Sequence, residues 1–296
     1  MKEFVSDSHC IESQESSEYT LGSFFPVAYY YADERQALIH LYKGQGWMRL
    51  WVPEYFCYDV IESLRKAGLD LCYYVDYPGY TDDSKTLEAI HKKGHFRPKD
   101  AVLRVNYFGT RSYRSLDKLP VDVVEDHTFD LIGEWALKSQ AEWCIASLHE
   151  TLPISSGGII WSPVGLCLPK TPDVCSLDKA SRKYLQSFNI HSWYRTKREN
   201  WKILMNIKKE GIKILKPESY GCYPFSLILV FDDFAERERV REVLNENQVY
   251  SEVLWNVPES KDGDVFKMSC RMLSIPCDGR FSQDDMLRLK SIVESV

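Results

Sequence analysis

The chain has 296 residues, 44% of them hydrophobic, which is enough for a substantial core and one or two domains. Its net charge of −6 gives no electrostatic reason to bind nucleic acid. No apolar run approaches the roughly 20 residues of a membrane span, and Met1 to Asp7 lacks the apolar region of a signal peptide; a soluble, cytoplasmic protein is the expectation.

In chain order, the polar, Ser/Glu-rich residues 1–20 predict a loosely ordered start. Ala37, Leu38, Leu41 and Tyr42 recur at helical spacing and predict a helix over 34–43. Arg49 to Val52 reads as a short strand, and 59–67 as a helix stopped by Gly68. A strand over 69–75, a helix over 85–93 and a strand over 101–107 follow. Further short strands are predicted at 121–125, 143–147 and 158–161. Strands alternating with helices indicate a largely parallel α/β sheet with ligand sites at the strand ends. A second pattern begins with strand 225–231, a helix over 232–247 and a strand over 251–255. It closes with a helix from Ser282, where Asp285 completes a capping box. The predicted division is a flexible segment 1–20, a large domain 21–185 and a small α/β domain 186–296.

The basic run Arg195 to Arg198 precedes Glu199, Trp201, Ile203 and Leu204 and reads as the solvated face of an amphipathic helix. The nine cysteines are odd in number and lack C-x-x-C spacing, which predicts reduced, mostly buried thiols rather than disulfides or zinc. No metal site is expected: Pro153 precludes the zinc helix that His149-Glu150 alone would suggest. Asp126 ends a predicted strand, where it either holds a protonated ring nitrogen or caps the next segment. Gly157-Gly158 is satisfied by a tight turn. There is no Walker loop, no G-x-G-x-x-G and no G-x-S-x-G.

The order of four motifs resembles the DegT/StrS family of sugar-nucleotide aminotransferases. Glu34-Arg35-Gln36-Ala37-Leu38 resembles the helix start that holds the cofactor phosphate, and Val52-Pro53-Glu54-Tyr55-Phe56-Cys57 resembles the turn over its ring. Val124-Glu125-Asp126 resembles the motif whose Asp pairs with the pyridine nitrogen. Ser147-Leu148-His149-Glu150-Thr151-Leu152-Pro153, then Gly157-Gly158, resembles the segment that carries the Schiff-base lysine. Lys197-Arg198-Glu199-Asn200-Trp201 and Leu273 to Phe281 resemble later family segments. The resemblance covers about residues 20–296.

It implies the fold-type-I architecture of pyridoxal phosphate enzymes with a smaller C-terminal α/β domain, a homodimer, and a setting in sugar-nucleotide or surface-polysaccharide metabolism. Asp126, Arg35, Gln36, Cys57 and Ser147 are the implied cofactor-binding positions. The departures lie in the same places. Glu150 stands at the lysine position, Glu34 at the phosphate glycine and Phe129 at the usual His or Gln, and the segment between Lys179 and Arg198 is short. A carboxylate cannot form an imine, so standard transamination is not expected. Pyridoxal or pyridoxamine phosphate is then either bound non-covalently or lost. The first reading is a repurposed or degenerate member that still takes a sugar-nucleotide-like ligand. The alternative is a sugar dehydratase or aminotransferase on non-covalent cofactor, with His149 or Glu150 as base.

Overall fold

The computed structural model describes residues 3–4, 18–114, 119–169, 176–259, 261 and 263–296. Most of the predicted flexible segment 1–20 falls outside them, as do Cys10 and Cys175.

The helices are α1 (Leu21–Phe24), α2 (Glu34–Gln45), α3 (Tyr58–Lys66), α4 (Asp83–Lys92), α5 (Glu134–Lys138), α6 (Lys179–Leu185), α7 (Ile190–Leu204), α8 (Phe234–Glu246), α9 (Gly263–Arg271) and α10 (Gln283–Ser295). The strands are β1 (Ala28–Tyr31), β2 (Arg49–Pro53), β3 (Leu71–Tyr74), β4 (Asp100–Val105), β5 (Asp122–Asp126), β6 (Trp143–Ser147), β7 (Gly158–Trp161), β8 (Ile212–Ile214), β9 (Leu227–Phe231) and β10 (Met272–Ile275). Seven strands form one sheet in the order β1-β7-β6-β5-β4-β2-β3, and β10-β9-β8 form a second.

β3, β2, β4, β5 and β6 are mutually parallel, while β7 runs antiparallel to both β6 and β1. Every residue of β4, β6 and β7 is buried. A sheet covered on both faces has no solvent side to alternate toward, so these strands do not show an apolar/polar alternation. One core packs α2 and α3 through Leu38, Leu41, Ile61 and Leu64 against Leu50, Leu103, Val124 and Ile145. A second gathers Leu148, Leu152, Ile159, Leu185 and Trp193. A third joins β9 and β10 to α8 and α10 through Leu227, Leu229, Val240, Leu273 and Leu289.

Two buried ion-pair centres tie the loops to the large sheet. Arg111 donates to both carboxylate oxygens of Asp76, at 2.6 and 3.0 Å, and Arg104 reaches Asp83 at 3.1 Å and Glu125 at 3.3 Å. Removing one partner of such a pair strands a buried charge and costs about 3–5 kcal/mol.

Apart from the strand at 251–255, the predicted strands and long helices are found within a few residues. Gly68 takes the left-handed conformation (φ 85°) that ends α3, and Ser282 with Asp285 forms the capping box of α10. The predicted strand 251–255 is not formed. β9 has β10 on one side and β8 on the other, so 251–255 meets only the outer edge of β10, through the single bridge Glu252–Ser274. Trp255 instead packs on Tyr55 and Phe56 of the main core. The seven described cysteines are all unpaired, but only Cys144, Cys222 and Cys277 are fully buried. No described helix is long and apolar enough to cross a membrane.

Candidate functional site

The carboxyl ends of β5 and β6 and the amino end of α2 meet at one point. β7 makes this possible, because Gly158 lies against the start of α2. A Cβ on Gly158 would stand 2.5 Å from the Asp33 carbonyl oxygen. The four orphan amides of a helix start, with the helix dipole behind them, favour negative charge. Here the chain supplies that charge itself. Asp33 accepts from the Gln36 amide at 2.8 Å and from Gln36 Nε2 at 3.0 Å, and its carboxylate lies 4.0 Å from Arg35. Arg35 and Gln36 are thus engaged by Asp33.

Glu34, the first residue of α2, is partly buried, yet its Oε1 is fully enclosed and has no hydrogen-bond partner. Burial pushes its pKa well above the usual glutamate range; Asp126 and Glu150 push it further, and a hydrogen bond from Thr128 opposes them. Asp126 ends β5, is 4% exposed and accepts from the Thr128 amide at 2.8 Å. Its pKa is raised by burial, against the Thr128 hydrogen bonds and with a smaller push from Glu150. Three carboxyl groups therefore act on one another, and the charges that act most on Glu34 are all negative. Cys57, at the start of α3, joins the group: burial raises its thiol pKa, and Glu34 adds to the rise.

Beyond β6 the chain forms a local relay. Ser147 Oγ lies 3.0 Å from His149 Nδ1, and His149 Nε2 lies 3.2 Å from Glu150 Oε1. Ser147 is buried, whereas the His149 and Glu150 side chains are about two-fifths exposed, at 40% and 42%. The structure thus brings Glu34, Cys57, Asp126, Ser147, His149 and Glu150 to one region and turns Arg35 toward Asp33. Phe129 packs among Phe225, Phe108 and Trp255, with ring centroids 4.9 to 5.8 Å apart.

Sequence reasoning missed three residues here. Thr128 links the parts: its hydroxyl receives the Ser147 amide at 2.9 Å and also acts on Glu34 and Asp126. A Thr two residues after a strand-end Asp was the available signal. The second is Lys197. The basic run 195–198 is not uniformly a solvated face, because Lys197 is 1% exposed and donates to Thr151 Oγ1 at 3.2 Å. The third is Asp130, buried and electrostatically tied to Lys197.

Glu125, His127 and Cys144 place potential ligand atoms within 4.8 Å of one another on the interior side of β5 and β6. Glu125 is already bonded by Arg104 at 3.3 Å and by Ser139 at 2.6 Å. A guanidinium at that distance opposes a divalent cation, so the cluster reads as a closed hydrogen-bond network.

No protein-family model matches the chain, and no curated protein matches it. Solved structures do. Helicobacter pylori PseC, an aminotransferase of pseudoaminic acid biosynthesis, superposes with a TM-score of 0.73 at 13% identity, covering 99% of each chain. A DegT DnrJ EryC1 StrS aminotransferase from Brucella abortus gives 0.71 at 13%, over 94% of this chain and 91% of its own. DesI, crystallised in the presence of its TDP-sugar product, gives 0.70 at 16%, over 93% and 82%. At these identities the shared property is the fold. The chain has the fold-type-I architecture of pyridoxal phosphate-dependent aminotransferases.

Proposed function

We propose that this chain is a sugar-aminotransferase-like protein that does not perform lysine-based transamination and retains a pocket for a sugar-nucleotide-like ligand. The observation that carries the reading is the convergence of Glu34, Asp126 and Glu150, with Oε1 of Glu34 enclosed and unpartnered. In this reading Glu150 stands where the resemblance places the Schiff-base lysine, and Glu34 where it places the phosphate.

The residues present do not fit pyridoxal or pyridoxamine phosphate. A phosphate carries close to two negative charges at neutral pH. At the helix start it would meet Glu34 and also Asp33, which already holds the Gln36 amide. Like charges in a buried setting disfavour the ionised forms of both. Only Asp126, the counterpart of a ring-nitrogen partner, favours the cofactor. Glu150→Lys alone is therefore expected to give no retained cofactor absorbance after incubation with pyridoxal phosphate and desalting. Adding Glu34→Gly should bring some back. A stable aldimine absorbance in the single variant would overturn the account of the phosphate end.

A sugar ligand is supported by the shared fold and by the TDP-sugar product present with DesI. A homodimer in the cytoplasm belongs to the same proposal. The alternative of a base-assisted dehydratase draws on one observation, the Ser147–His149–Glu150 relay. In that arrangement Glu150 orients the imidazole through Nε2, and His149 Nδ1 can take the Ser147 hydroxyl proton as that hydroxyl takes one from a bound sugar. The phosphate end opposes its cofactor-dependent form.

A further inference from the structure

Arg198, Trp201, Lys202 and Met205 fall at helical spacing on α7 and its C-cap, so they share one face. Across a cavity of about 470 Å³ that face meets the loop 216–224. The volume is that of an ordinary small-molecule site. The loop is pinned to the large domain at three points. The Glu218 amide donates to the Thr110 carbonyl at 2.8 Å, the Gly221 carbonyl accepts the Glu134 amide at 2.9 Å, and the Tyr223 amide donates to Asp130 Oδ2 at 3.0 Å. The cavity is therefore preformed.

Its charge is positive. Arg198 donates to the Tyr220 carbonyl at 2.6 Å, and its guanidinium lies 5.1 Å from the centroid of the Tyr223 ring. Among the described residues no carboxylate lies within ion-pair distance of Arg198 or of Lys216, which lines the cavity from the loop. Lys202 is paired with Glu199 at 2.8 Å. The acid lining the cavity, Glu218, is already engaged: Oε2 accepts the Ser112 amide at 3.1 Å and its hydroxyl at 3.0 Å, and Oε1 is held by Arg114. Two cations thus share one cavity without an anion of the chain to meet them. A positioned guanidinium with spare N–H donors suits phosphate, and an ammonium adds a point charge. The rest of the wall, Trp201, Met205, Pro217 and Pro224, is largely apolar. Tyr220 completes it: the ring is 91% exposed although its carbonyl is tied to Arg198, which leaves an aromatic face free for stacking beside the cation.

We propose that this cavity is a mononucleotide site, in which Arg198 and Lys216 hold the phosphate and the base stacks on Tyr220. A phosphate carries close to two negative charges at neutral pH, which matches the two unpaired cations. The site shares no residue with the carboxyl cluster at α2, and Lys197, the residue before Arg198, lines the small cavity beside Glu150 instead. It does not rest on the proposed function.

Calorimetric titration of the full chain with adenosine monophosphate, ribose 5-phosphate and adenosine, each alone, tests this. The wild-type chain should bind the nucleotide with a sub-millimolar Kd and ribose 5-phosphate more weakly, and added salt should weaken both. Tyr220→Ala should weaken the nucleotide roughly tenfold and leave ribose 5-phosphate unchanged. Lys216→Ala should weaken both phosphates roughly threefold and leave adenosine unchanged. Both side chains are exposed, so neither variant is expected to unfold. Absence of nucleotide binding at millimolar concentration would overturn the proposal. Binding that neither variant weakens would overturn it too, while leaving the proposed pocket beside Glu150 standing.

Discussion

Glu34 is a carboxyl group held where water cannot reach one of its oxygens, beside two other carboxyl groups. Such a group is protonated more readily in the folded chain than in the unfolded one. Its contribution to stability is fully present below the unfolded glutamate pKa of about 4.3, and is lost as pH rises through the raised folded value. Glu34→Gln removes this titration and keeps the shape. The variant should be more stable than the parent at neutral pH, and its advantage should shrink toward pH 4. Urea denaturation at several pH values checks this, and an equal or lower midpoint for Glu34→Gln at pH 7 would contradict it. Asp126 is also raised but accepts the Thr128 amide at 2.8 Å, so its amide variant loses a structural bond as well and is the less informative probe.

At the scale of elements, the contact between β7 and α2 makes the site compact. Gly158→Ala forces a methyl carbon to within 2.5 Å of the Asp33 carbonyl and 2.7 Å of the Glu34 amide, both backbone atoms that cannot swing aside. Overpacking of this kind costs about 1–3 kcal/mol. Chemical denaturation should show that loss, and unchanged stability would mean that the helix start shifts freely. Elements also show what the chain's pattern reveals in advance. Ala37, Leu38 and Leu41 announced α2, and Gly68 its neighbour's end, because both signals are local. On α7, Lys197 falls three residues after Tyr194 and four before Trp201, on the buried stripe that begins at Ile190. That spacing was legible, but a basic run draws attention to charge and conceals the inward position. The strand expected at 251–255 failed for the opposite reason: its composition suits a strand, while its pairing with the outer edge of β10 stops at the single bridge Glu252–Ser274.

The large sheet was legible at the scale of the whole molecule because βα alternation is written into the hydrophobic pattern. The antiparallel edge made by β1 and β7 was not, since Tyr29 to Tyr31 reads equally as an aromatic core segment. Nor was the meeting of Glu34 with Asp126 and Glu150, which are brought together only by folding. Motif order pointed to these positions individually; the structure adds that the charges acting most on Glu34 are those of Asp126, Glu150 and Asp33, all negative. On this account a fold built around an anionic cofactor now holds carboxylates at the place of the anion. The most direct test is the absorbance of the purified chain over roughly 320–430 nm, after incubation with pyridoxal or pyridoxamine phosphate and desalting. The account predicts no retained band. A stoichiometric chromophore that survives desalting would contradict it.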